Sequence, residues 1–224
     1  MKNKRVLILL GGTWHDFEGF AKSIKSILEP HKWIVDATYD FDSMIQLDNG
    51  KYDLVLSYTC FSKKDWKSDS NVAEGFSDEQ LNALVGWVKN GGAFLASHAA
   101  TIPGKTNPLL CEFIGGIFIE HPPECDFTVY PVYGEHPITK EIEAFTVHDE
   151  LYIQKFDPSL NINMVAIYNG MAYPIVWSKQ EGRGIIAHVA LGHSPKVWEL
   201  KSYQKLMLQT IEWLVSNKLK KGIV

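Results

Sequence analysis

Imidazole is the only side chain whose ordinary pKa lets it serve as both acid and base near neutrality. This chain of 224 residues holds eight of them. Four follow short apolar runs: His15 after Arg5 to Leu10, His98 after Ala93 to Ala96, His121 after Ile117 to Glu120, and His193 after Gly184 to Leu191. A fifth, His148, stands before two carboxylates in Val147-His148-Asp149-Glu150-Leu151-Tyr152. Several imidazoles with a carboxylate suit proton transfer or a metal site. No H-E-x-x-H spacing makes metal binding specific from sequence, so both chemistries stay open. His31 beside Pro30 reads as a surface residue and His136 before Pro137 as a turn residue. His188, alternating within an apolar strand, reads as a hydrogen-bonded core residue.

The stretch that must position this chemistry is Val88 to Thr101, VKNGGAFLASHAAT. It combines a helix end, a Gly-Gly stop, a buried strand and a small-residue turn. A sharp strand-to-helix elbow needs small residues two before and two after its tip, because the backbones pack closely there. Centred on Ser97, the flank is Leu95; centred on His98, the flanks are Ala96 and Ala100. The elbow is therefore expected to display His98. Ligands in open α/β sheets bind beyond the carboxyl ends of the strands. His15, His98, His121 and His193 are accordingly expected to converge on one pocket.

Asp149 and Glu150 add the carboxylates. If Val147 to Ile153 is one strand, alternation puts Asp149 on the apolar face with Val147 and Leu151, where an unpaired carboxylate is costly. Either Asp149 has a partner or the strand begins after it. Glu150 falls on the opposite face and is the better candidate for the pocket. The three cysteines are Cys60, Cys111 and Cys125; none occupies the elbow, and Cys60 and Cys111 read as buried thiols.

The remaining chain supplies an α/β frame. Strands are expected at Arg5 to Leu10, Trp33 to Tyr39, Leu54 to Tyr58 and Ala93 to Ala96, with a helix between Asp16, its N-cap, and Pro30. Ser77 with Gln80 forms a capping-box pattern before Leu81, Leu84, Val85 and Val88. Beyond a short helix over Asn107 to Ile114 come short strands with hairpin turns at Tyr168-Asn169-Gly170 and Glu181-Gly182-Arg183-Gly184. A helix over Tyr203 to Asn217 closes the chain. No linker or repeat divides it, so residues 1–224 are read as a single domain with an antiparallel-rich second half. The segment Thr59 to Gly75 is longer than most connections, a length usual in functional loops.

Composition narrows the function. Apolar residues make up 46% and charged residues 21%, as in ordinary globular proteins. The net charge of −4, with basic residues clustered only at Lys218 to Lys221, argues against nucleic acid as a partner. Val6 to Leu10 is too short for a signal-peptide core or a membrane span. An odd cysteine count without a C-x-x-C pair fits a reducing compartment, and a cytoplasmic location is expected.

The chain resembles the ThuA-like (trehalose utilisation) family. The resemblance rests on GGTWHDF at Gly11 to Phe17, GGAFLASHAAT at Gly91 to Thr101 and FIGGIFIEHP at Phe113 to Pro122. HPIT at His136 to Thr139, DELY at Asp149 to Tyr152, PIVW at Pro174 to Trp177 and GRGIIAHVALGH at Gly182 to His193 continue it. It implies a flavodoxin-like three-layer sandwich of class I glutamine amidotransferase-like type, with a parallel sheet at its centre. In those amidotransferases the elbow carries a cysteine and a later loop its histidine. The matching residues are His98 and His193, so the resemblance implies the same site location without glutamine amidotransferase chemistry. It implies an enzyme of trehalose or related disaccharide metabolism, with His98, His193, Glu150 and Asp149 as catalytic groups. Gly12, Thr13, Trp14, His15, Asp16 and His121 are expected to bind the sugar or sugar derivative, and Trp14, Trp66 and Trp198 are candidates to stack on it. The alternatives are a hydrolase or isomerase using a divalent metal such as zinc, with His15, His98, His121 and Glu150 as candidate ligands, or a non-catalytic sugar-binding or regulatory domain. No membrane partner is expected, and a homo-oligomer stays open.

Overall fold

Arg5 to Gly12 shows why this sequence builds a layered sheet. Val6, Ile8 and Leu10 point to one face and Leu7 and Leu9 to the other, and all five are buried. Such a strand needs cover on both sides. In a computed structural model, which describes residues 3–63 and 73–217, helices supply that cover.

The chain order is β1 (Arg5–Gly12), α1 (Phe17–Leu28), β2 (Ile34–Thr38), β3 (Leu54–Cys60), α2 (Asp78–Lys89), β4 (Ala93–Ser97), α3 (Leu109–Ile114) and β5 (Gly116–Glu120). It continues as β6 (Cys125–Pro131), β7 (Phe145–Asp149), β8 (Ile153–Phe156), β9 (Asn161–Tyr168), β10 (Met171–Glu181), β11 (Gly184–Val189), α4 (Pro195–Trp198) and α5 (Lys201–Asn217). Nine strands form one sheet in the order β2-β1-β3-β4-β11-β10-β9-β6-β7. The first five are parallel and the rest antiparallel, while β5 and β8 pair in a separate ribbon. Phe20, Ile24 and Leu28 of α1 pack with Leu206, Ile211 and Leu214 of α5 on one face. Leu81, Leu84 and Val88 of α2 pack with Phe113 and Ile114 of α3 on the other. This is the mixed α/β architecture of the class I glutamine amidotransferase-like fold, with a largely parallel centre.

Both expected helix caps are present. Asp16 accepts the Gly19 N–H at 2.8 Å, and Ser77 and Gln80 exchange both bonds of a capping box. Three features depart from the sequence reading. A 3-10 turn over Phe41–Asn49, burying Met44 and Leu47, fills a stretch with no expected element. The short helix begins at Leu109, after Asn107 and Pro108. Most important, Val147 to Ile153 is not one strand: β7 stops at Asp149, and Ile153 starts β8 in the other sheet. Trp66 and Lys218 to Lys221 lie outside the described residues, as does most of the Thr59 to Gly75 segment.

Parallel alignment brings the carboxyl ends of β1, β3, β4 and β11 to one edge of the sheet. Gly12 lets β1 reach that edge beside β3. Its φ is +110°, and a Cβ there would lie 1.9 Å from the Cys60 carbonyl oxygen. That carbonyl also accepts the Thr13 N–H at 2.9 Å, which starts the loop toward His15. Gly12→Ala is expected to cost on the order of 3 kcal/mol. Gly86→Ala, with open space around it in α2, should gain about 0.5–1 kcal/mol. Paired thermal melts check this; equal midpoints for the two variants would remove the steric argument.

Candidate functional site

Each imidazole of the site is aimed by something outside it. His15 follows the glycine end of β1, and its Nδ1 lies 2.9 Å from the Thr13 carbonyl. A carbonyl oxygen only accepts, so Nδ1 carries the proton and Nε2 keeps its lone pair. His98 sits at the tip of the β4 elbow with φ of 47°, a strained value for a non-glycine residue. Its Nδ1 donates to the Ala190 carbonyl at 2.7 Å, and its ring lies 4.4 Å from that of Tyr152, near parallel. His98 is 0% exposed. His193 comes off β11 through Gly192, whose φ is +120°.

Glu150 joins them. Its Oε2 lies 3.3 Å from His98 Nε2 and 3.3 Å from His193 Nδ1, and its Oε1 lies 3.6 Å from His121 Nε2. One ligand atom from each of His15, His98, His193 and Glu150 falls within 4.8 Å of all the others. Three ring nitrogens there, His15 Nε2, His98 Nε2 and His193 Nδ1, are buried; His15 Nε2 has no hydrogen-bond partner, and the other two face only Glu150 Oε2, each at 3.3 Å. A lone pair held toward a carboxylate is repulsive unless a proton or a cation lies between them. The cluster has the donors, charge and second-sphere hydrogen bonds of a metal site, and it could hold one ion.

The titration tendencies agree with this crowding. Burial, reinforced by neighbouring His98, pushes His15 down to about 3, so it stays neutral. Burial alone would raise the Glu150 carboxyl, but hydrogen bonds and charge from His193 and His98 hold it well below the usual range. The hydrogen bond to Glu150 raises His193 against the opposing effect of its burial.

Other expected residues take different places. Asp149 is fully buried; its Oδ2 accepts the Gly192 N–H at 2.8 Å, and its Oδ1 accepts those of Glu150 at 2.9 Å and His193 at 3.1 Å. Expected as a catalytic group, it turns three of its acceptor sites to backbone N–H groups, a geometry that suits a positioning role. Asp16 caps α1 and does not line the cavity. Gly12 and Thr13 shape the loop: the Thr13 carbonyl orients His15. Trp198 is buried, donating to the Gly192 carbonyl at 2.7 Å, and is not part of the wall of the cavity beside the cluster. His188 is a core residue, its Nδ1 3.1 Å from the Ala96 carbonyl.

The cavity beside the cluster holds about 300 Å³ and is walled by Trp14, His121, Glu150, His193, Phe118 and Tyr152, among others. Trp14 is 55% exposed at its rim, with its indole N–H donated to the Lys63 carbonyl at 2.8 Å. Cys60 lines it as well, and burial pushes that thiol up to about 11, which leaves it protonated and a poor nucleophile. The sequence reading missed Phe118 and the Tyr152 ring; the DELY segment held the signal for the second. It also missed Glu124, 3.7 Å from His193 Nε2, for which the sequence offers only a place after Pro122-Pro123.

Comparison with known proteins follows the same lines. The family model described as ThuA, trehalose utilisation, matches residues 5–214. A ThuA-like protein from Parabacteroides merdae is similar over 99% of this chain and 93% of its own, with a TM-score of 0.78 and 19% identity. One from Bacteroides uniformis covers 98% and 94%, with a TM-score of 0.76 and 18% identity. A glutamine amidotransferase from Thermotoga maritima covers 96% and 99%, with a TM-score of 0.58 and 10% identity. Likeness at these identities speaks to the fold alone. No curated protein matches the sequence. Among the described residues, no helix is long and apolar enough to cross a membrane.

The role of Asp149 can be tested directly. Asp149→Asn places an NH₂ group against backbone donors, and hydrogen bonds to a buried charge are worth about 1.5–3 kcal/mol. The expected loss is roughly 5–10 °C in thermal midpoint. A midpoint within a degree of the parent protein by scanning calorimetry would show that the latch carries no weight.

Proposed function

From the premise that this chain belongs to the ThuA, trehalose-utilisation, family, we propose that it is a metal-dependent enzyme acting on a sugar or sugar derivative by hydrolysis or isomerisation. His15, His98, His193 and Glu150 would hold a divalent ion such as zinc. One observation supports this most: three buried ring nitrogens and a single carboxylate bring their ligand atoms within 4.8 Å of one another. Direct acid/base work by His98 on a substrate is disfavoured, since that ring is fully buried and forms no part of the cavity wall.

A bound divalent ion supplies Lewis acidity, polarising an oxygen of the substrate or of water. The chain's own residues do the rest. Thr13 and Ala190 carbonyls keep the His15 and His98 lone pairs turned inward. His15, Glu150 and His193 line the cavity and would present the cluster to a ligand. His121, at the cavity wall, has Nδ1 on the Pro122 carbonyl at 2.7 Å and Nε2 toward Glu150 Oε1, so it would hold Glu150 in place beside a bound sugar. Trp14, its indole edge tied to Lys63, offers a flat face to the apolar side of a sugar ring.

Elemental analysis of protein purified without a histidine tag, followed by zinc titration, tests the reading. About one ion per chain is expected in the parent. Glu150→Gln should lose most of that ion with little change in the metal-free thermal midpoint. Bound ligand nitrogens cannot hold protons, so affinity should rise with pH as His193 releases its proton. A parent protein that takes up no ion, or a Glu150→Gln protein that holds it equally well, removes the proposal. Incubation with glutamine should release no ammonia, because the elbow carries an imidazole and the Cys60 thiol stays protonated.

A further inference from the structure

The three clustered imidazoles are not held alike. For His15 and His98 the ring nitrogen facing away from the cluster donates to a backbone carbonyl, at Thr13 and Ala190. No substitution removes those acceptors. His193 differs: its outer nitrogen, Nε2, faces a side chain, Glu124, at 3.7 Å from Oε1.

That difference bears on which nitrogen of His193 carries the proton. Glu150 Oε2, 3.3 Å from Nδ1, draws the proton inward to the nitrogen that must be bare to bind an ion. Glu124 draws it outward to Nε2. A neutral imidazole has one N–H, so the two carboxylates compete for it. We propose that Glu124 is a positioning residue that selects the His193 tautomer with Nδ1 free, and so tunes the affinity of the cluster for a divalent ion. The inference rests on the metal reading above.

The surroundings of Glu124 fit such a task. It is joined to His121 by Pro122-Pro123, whose fixed φ angles stiffen the turn. One short turn thereby sets Glu124 beside His193 and His121 beside Glu150, 3.6 Å from Oε1. The other Glu124 oxygen, Oε2, lies 3.5 Å from His148 Nε2 and 3.8 Å from Lys196 Nζ. His148 is itself tied through Nδ1 to Asp126 at 2.7 Å. Glu124 is thus steered from β7 and α4 while its first oxygen serves His193. Outer partners of this kind typically change metal affinity by about 10–100-fold when removed.

Zinc alone, competed against a chromogenic chelator, is the probe, with the parent, Glu124→Ala, Glu124→Gln and Lys196→Ala compared as full chains. Glu124→Ala should weaken zinc binding about 10–100-fold, with Glu124→Gln between it and the parent. Lys196→Ala should change affinity by less than about threefold, as removal of an exposed charge pair does. Nitrogen NMR of the His193 ring in the metal-free proteins gives a readout that a merely structural role would not move. The proton should sit more on Nδ1 in Glu124→Ala than in the parent. Equal zinc affinity in the parent and Glu124→Ala overturns this inference and leaves the metal reading standing. A parent that binds no zinc overturns both.

Discussion

A single buried carboxylate sets the geometry on which the site depends. β7 lies at the far edge of the nine-stranded sheet, and β11 at its middle. Glu150 follows the first and His193 follows the second, so nothing in the strand pairing brings them together. Asp149 does, by accepting backbone N–H groups from Glu150, Gly192 and His193 at once. Burial pushes its pKa up, and those three donors oppose the shift by favouring the charged form. The same Gly192 carries a second set of bonds: its carbonyl accepts from Tyr58 Oη and Trp198 Nε1. The loop is therefore gripped from β7, β3 and α4, and its left-handed glycine is held where a side chain would meet Tyr203.

The elbow adds strain to that grip. His98 holds a left-handed backbone without the help of a glycine, an arrangement that costs of order 1–3 kcal/mol and is met mainly at functional sites. Ala96 and Ala100 keep the crossing chains close, and the Ala190 carbonyl fixes the ring. Tyr58 and Tyr152 flank that ring and exclude water from it. The carbonyl contact and the sealed ring leave the His98 nitrogen little freedom to adjust to a poorly fitting partner.

Much of this was legible in the sequence because it obeys short-range rules. Short apolar runs, the first of them ended by Gly11-Gly12, marked the parallel strands, and small flanking residues singled out His98 as the elbow. Alternation raised the question of a partner for Asp149, which the Gly192 and His193 amides answer. The break after Asp149 was not legible, because Val147, Leu151 and Ile153 continue a strand-like pattern through a segment that leaves the sheet. Leu151 and Tyr152 are buried by packing around the elbow instead. Sequence alone allows Asp16 both as an N-cap and as a sugar contact, and Trp198 both as core and as a stacking face. Residue type says what a side chain can do, but tertiary contact gives Asp16 to the cap and Trp198 to a core hydrogen bond. Glu124 follows two prolines and carries no periodic signal, so its approach to His193 exists only in the folded chain.

The cluster divides into two halves with different mechanical properties. His15 and His98 leave parallel strands of the central sheet and are fixed by backbone carbonyls, and His98 is sealed from solvent. Glu150 and His193 face the cavity, as does the edge of His15, but their outer contacts are side chains, His121 and Glu124, presented by one proline-stiffened turn. On the proposed metal reading, the inner half would set which ion fits, because the backbone carbonyls hold its rings in place. The outer half can respond to what enters the cavity, because a ligand that moves His121 or Glu124 changes the charge balance on Glu150 and His193 directly. On the proposed reading, binding and chemistry would be coupled through these two side-chain contacts.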